Sequence, residues 1–119
     1  MNNRTLQDAR LPKHNLKVEY VSTHLLKPAA YNPRSWDDSA ISQLTDSIKE
    51  YGLVDPILVN GSAKRKYVVI GGHFRLKIAK DLGYTQVPVV FLNIPNIAKE
   101  KELNIRLNKN VGAWSMEKL

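Results

Sequence analysis

The sequence predicts an α+β domain, a small mixed sheet with packed helices in the order β-α-β-β-α-β-α. Three features lead to that class. Short segments rich in β-branched residues alternate with segments of helical period. Glycine and proline stand at the junctions between them. The chain has 119 residues, enough for one modest core.

Composition narrows the function classes. With 43% hydrophobic and 24% charged residues, the chain reads as an ordinary soluble globular protein. No apolar run approaches the ~20 residues that span a bilayer, and the opening MNNRTLQDARLPKH lacks the hydrophobic core of a secretory signal. No cysteine is present, which excludes thiol catalysis, disulfides and zinc-thiolate sites. A cytoplasmic address without membrane partners follows as the expectation. The net charge of +7 and pI near 9.7 call for an acidic partner, with nucleic acid first in line.

In chain order, residues 1–15 carry Arg4, Arg10 and Lys13 without periodicity and are expected to form a flexible basic arm. Alternation at Val18 and Tyr20, within residues 16–26, predicts a strand. Asn32-Pro33 then turns the chain into Arg34. Asp37 or Asp38 is placed to cap a helix whose apolar face is Ile41, Leu44, Ile48 and Tyr51, with Gly52 as its stop. The segment LVDPILVN, the turn GSAKRK and the segment KYVVI predict a hairpin. After a second helix, QVPVVFLN predicts a strand with Pro88 at its beginning or edge. Pro95-Asn96 opens a third helix, expected over residues 96–108. Its Asn104 and Asn108 share one face, for which a solvated role is the preferred reading. Ser115 stands where a further helix could be capped, so residues 115–119 are expected to begin a truncated or partner-dependent segment.

The stretch from Val68 to Gly83 holds the candidate site. A short strand runs into Gly71-Gly72 and then into a helix starting at His73. Paired glycines permit a sharp turn without a Cβ in a ligand's way, and the helix start offers free N–H groups and positive potential. Helical phase places Arg75 in the middle of an apolar face of Phe74, Ile78, Ala79 and Leu82, with His73, Lys77, Lys80 and Asp81 on the solvated side. A cation there needs a partner, either a phosphate gripped by its two-pronged head or a carboxylate elsewhere in the fold. His73 is open between touching phosphate, acid–base work, and a plain exposed helix start. No nucleophile–base pair or metal-ligand spacing is visible.

NPR at 32–34, SIKEYG, DPILV, YVVIGGHFRLKIAKDLG and VPVVF together resemble the ParB N-terminal, or ParB/sulfiredoxin-like, domain over residues 16–114. GGHFR with LNIRLNKNVGAW is similar to ParB-like domains of phages and mobile elements that accompany DNA-modification methylases. The resemblance implies a nucleoside triphosphate, CTP or ATP with Mg2+, held at Gly71, Gly72, His73 and Arg75, with Arg34 and Asn104 beside it. Asp55 and Asn108 are further candidates. Asp55 stands where partition proteins usually carry glutamine, and Leu103 replaces the glutamate of their Glu-Asn pair, which counts against hydrolysis. The sulfiredoxin cysteine has no counterpart. Implied partners are DNA, contacted weakly through its phosphates, and the nucleotide; a homodimer, a methylase and a downstream domain are further candidates. The alternative is an enzyme of the same superfamily, a DNA nuclease or a nucleotide hydrolase or kinase. No carboxylate cluster is legible, although Asp37, Asp38 and Asp55 would qualify if the fold gathered them.

Overall fold

The computed structural model describes residues 15–31 and 38–118, with side chains of the last helix described to residue 107. Arg34, Asp37, the Asn108 side chain and residues 1–14 of the expected arm therefore lie outside the described residues. The elements are β1 (Glu19–Ser22), α1 (Asp38–Tyr51), β2 (Ile57–Asn60), β3 (Val69–Gly71), α2 (His73–Asp81), β4 (Gln86–Leu92) and α3 (Ile97–Lys118), with single 3-10 turns at Thr23–Leu25 and Ala63–Arg65. This is the expected order.

The four strands form one sheet in the order β1-β4-β2-β3. β1 runs antiparallel to β4, β4 parallel to β2, and β2 antiparallel to β3 as the predicted hairpin. Period-2 alternation divides the apolar residues between two faces. Ile57, Val59, Val69, Val87 and Val89 meet Leu76 and Ala79 of α2, while Ile70, Val90 and Leu92 meet Leu103 of α3. Both faces are covered, which is why β2 and β4 read as nearly unbroken apolar runs. Among the described residues, no helix is long and apolar enough to cross a membrane.

Several boundaries differ from expectation. Gly52, at φ 82°, does end α1, with its N–H on Ile48 O at 2.8 Å. Tyr51, assigned to the apolar face, is exposed because α1 buries little beyond Ile48. Pro88 lies inside a central strand, not at its start or edge. Thr23 N–H bonds Thr85 O, and alternation from there makes Tyr20↔Pro88 a non-hydrogen-bonded pair. Pairing with β2 begins only at Val89, so the missing N–H breaks no bond. Asn96 caps α3, its Oδ1 accepting from the N–H of Ala98 at 2.8 Å and of Lys99 at 3.2 Å. The helix then continues past Asn108 and through Ser115, so Ser115 does not open a separate helix.

Candidate functional site

The pairing of β2 with β3 slips by one residue, from Leu58↔Gly71 to Val59↔Val69. Ile70 is therefore the extra residue, a bulge placed directly before the glycine turn. Its carbonyl, off the ladder, accepts from Asn104 Nδ2 at 2.8 Å. Asn104 is buried, which overturns the solvated reading: it ties α3 to the strand that ends in the turn.

Gly72 follows at φ 97°, a left-handed conformation that side chains resist. It occupies the cap position of α2 and contributes no side-chain bond to the helix start. A Cβ here would stand 3.0 Å from Arg75 Nη2 and 3.3 Å from Ile57 Cγ1. The glycine thus admits the Arg75 guanidinium, which folds back over the turn as a first-turn helical side chain can. Arg75 Nη2 donates to Pro56 O at 3.3 Å, and its buried Nε has no partner. Among the described residues Arg75 has no carboxylate within ion-pair distance. Burial pushes it below the usual arginine value, against the charge of Asp55, although it remains a cation at neutral pH. Of the two partners open to it by sequence, the structural carboxylate is not found among the described residues.

His73 was expected on the solvated side of α2. Instead it is half-buried, and its Nε2 accepts from Ala29 N–H at 3.3 Å. That bond places the proton of the neutral ring on Nδ1. Burial holds His73 below its ordinary pKa, opposed by the charge of Glu100. A cleft of about 330 Å3 opens between Pro28–Ala29 and α2, sharing His73 with the turn but neither Gly72 nor Arg75.

A second polar centre escaped the sequence reading. Glu100, in the first turn of α3, is fully buried. Its Oε1 accepts from Asn60 Nδ2 at 2.7 Å and Arg65 Nε at 3.1 Å; its Oε2 accepts from Arg65 Nη2 at 2.7 Å and Tyr31 OH at 2.6 Å. These four donors fill the carboxylate's acceptor sites. Burial pushes the Glu100 carboxyl up, but the bonds from Arg65, Tyr31 and Asn60 outweigh it and hold the pKa below its usual value. Burial and the same bond push the Tyr31 phenol up. One signal pointed to Glu100: it shares a helical face with Leu103, Asn104 and Leu107.

Together these bonds fix residues 27–31 against the site. Lys27 exchanges backbone bonds with Tyr67 and Val69, both at 2.9 Å; Ala29 is held by His73 and Tyr31 by Glu100. In the sequence Arg34 follows three residues after Tyr31. Asp55 is exposed, next to Pro56, and acts on Arg75 through its charge. The fold thus brings Gly71, Gly72, His73, Arg75 and Asn104 together around one turn, with Asp55 at its rim. It gathers no group of three His, Cys, Asp or Glu fit for a metal among the described residues.

The sequence profile of the ParB N-terminal domain matches residues 7–111. The nucleoid occlusion protein of Bacillus cereus (strain AH187) is 36% identical over 70 residues, covering 58% of this chain and 24% of that protein. The chain thus spans about a quarter of the length of this curated relative. A C-terminally truncated chromosome-partitioning protein ParB from Caulobacter crescentus, solved in complex with CTP-γ-S, superimposes with a TM-score of 0.66 at 25% identity, covering 77% of this chain and 52% of that one. Sulfiredoxin from Arabidopsis thaliana shares the fold, with a TM-score of 0.57 at 22% identity over 66% of this chain and 86% of that one.

Proposed function

The chain belongs to the ParB N-terminal domain family, and from that premise we propose that it is a nucleotide-binding module of a DNA transaction. The transaction is partition of a plasmid, phage or chromosome, regulation, or support of a DNA-modification methylase. The ligand is a nucleoside triphosphate, CTP or ATP. The observation that carries the reading is Arg75: a buried guanidinium folded over Gly72, with an unpartnered Nε and only the Pro56 carbonyl on its head. The CTP-γ-S bound by the Caulobacter relative supports the choice of ligand.

In this reading each residue has a separate task. The backbone of Gly71 and Gly72 and the start of α2 face the phosphates, and Arg75 supplies the charge-assisted, two-pronged contact. Asn104 holds the bulge at Ile70 and so the position of the turn. His73 keeps residues 27–31 in place, and Arg34, three residues after Tyr31 in the sequence, is a further candidate ligand. The Asp55 carboxylate is an acceptor suited to the exocyclic amino group of cytosine or adenine. Asn108, four residues after Asn104 in the sequence, is a further candidate for the same ligand. No group of three metal-ligating side chains gathers among the described residues, and magnesium in this reading arrives with the phosphates that carry it. DNA contact rests on the positive surface, falls steeply with salt and shows little sequence preference.

Calorimetric titration with CTP, ATP, GTP and their diphosphates, with and without magnesium, tests the proposal. CTP or ATP is expected to bind more tightly than its diphosphate. Absence of heat from all of them at millimolar concentration would overturn it.

A further inference from the structure

The two edges of the sheet are finished differently. The outer edge of β3 is met by Lys27, which bridges to Val68 and bonds Tyr67 and Val69. Among the described residues β1 pairs only with β4, and none of them covers its other edge. An open edge presents unpaired N–H and C=O groups to any strand that can align with them.

The residues on this edge are not those of a blunted strand. Leu16, Val18 and Tyr20 stand at alternate positions in the sequence and are 58%, 55% and 67% exposed, Tyr20 within β1 and the other two just before it. Lys17 and Glu19, between them, are also exposed. Since Tyr20↔Pro88 is a non-hydrogen-bonded pair, the Tyr20 N–H and C=O point away from β4. β1 itself begins at Glu19; a strand paired along this edge would extend it over residues 16–18, and the N–H and C=O of Val18 and Leu16 would then point the same way.

We propose that this edge docks a second copy of the chain, β1 against β1 in antiparallel register about Val18. In that register Val18 faces its own copy, Leu16 faces Tyr20 of the other copy on the apolar face, and Lys17 faces Glu19 twice on the charged face. A lone lysine would repel its copy and guard the edge. A lysine followed two residues later by a glutamate makes the edge self-complementary in this register, through opposite-charge and apolar cross-strand pairs. The symmetry is that of an isologous dimer, and its sheet would run through eight strands. Five residues per edge fall short of the roughly 1,000 Å2 expected of a stable interface, so the dimer is weak and reversible. Its surface is separate from the glycine turn, and it stands whether or not nucleotide binds.

Charge exchange tests both the surface and the register. Sedimentation of the wild-type chain, in a series up to about 1 mM, is expected to show a concentration-dependent dimer. Glu19→Lys sets two ammonium groups against each other twice, and Lys17→Glu does the same with carboxylates. Each variant alone is expected to associate at least tenfold more weakly, while an equimolar mixture of the two recovers the wild-type dimer because opposite charges face again. Wild type that stays monomeric throughout, a dimer indifferent to both substitutions, or a mixture that fails to recover association would overturn the proposal.

Discussion

Two arginines are drawn into this fold and end in contrasting surroundings. Arg65 forks onto a carboxylate whose other acceptor sites are filled by Tyr31 and Asn60. Arg75 meets one backbone carbonyl and leaves a buried N–H unpaired. Burial costs a charged group several kcal/mol unless polar partners offset it. At Arg65 the partners are built into the chain, and the network joins the 60–65 turn, residues 27–31 and α3 into one unit. At Arg75 the described residues supply no such set. The first arrangement serves the fold; in the proposed reading the second holds a cation ready for an anion from outside.

The contrast implies opposite responses to mutation. Glu100→Ala strands Arg65, Tyr31 and Asn60 together and is expected to cost about 3 kcal/mol, toward the low end for a broken buried pair because Arg65 is partly exposed. In a domain of this size that lowers Tm by on the order of 10–15 °C. A loss below about 1 kcal/mol in urea unfolding would show the network to be incidental. Tyr31→Phe removes one hydroxyl bond to the same carboxylate and is expected to cost about 1.5 kcal/mol. Nucleotide affinity should weaken with it if residues 27–31 position Arg34.

The smallest effect is a pH dependence. The folded His73 pKa is depressed by burial, so below about pH 6.5 the unfolded chain takes up a proton more readily than the folded one. Its contribution to stability is full above that pH and is lost as pH falls through the folded value. Urea midpoints should decline from about pH 7.5 to about pH 5.5, and His73→Gln, which keeps an acceptor for Ala29 N–H, should flatten the decline. Below the ordinary glutamate range the depressed Glu100 adds a further loss of the same sign. A wild-type profile flat between pH 7.5 and 5.5, at about those values, would contradict the His73 assignment.

The order of elements was legible because local chemistry fixes it: Gly52 and Gly83 stop helices, Asn96 starts one, and the β-branched runs mark strands buried on both faces. The glycine turn and Arg75 were legible for the same reason. Other features depend on what the fold brings from a distance. Within the run KEKE at 99–102 nothing local separates buried Glu100 from exposed Glu102; only the phase shared with Leu103 and Asn104 does. Asn104 read as solvated because its partner, the bulged carbonyl of Ile70, exists only once β3 has slipped against β2. Arg65 looked like one cation among several in a basic turn until α3 brought it a carboxylate.

The most direct test of the central claim is the thermal melting of wild type, Arg75→Ala and Arg75→Lys, each with and without CTP or ATP and magnesium. If Arg75 awaits a phosphate, Arg75→Ala leaves apo stability within about 0.5 kcal/mol of wild type or slightly higher, since a poorly satisfied buried charge is gone. It also loses the ligand-induced rise in Tm, because a charge-assisted contact of about 1.5–3 kcal/mol is roughly tenfold to a hundredfold in affinity. Arg75→Lys recovers part of that rise, since an ammonium lacks the planar grip. Marked apo destabilisation by Arg75→Ala, in a domain whose wild type shows no nucleotide shift, would contradict the account and make Arg75 a second structural arginine like Arg65.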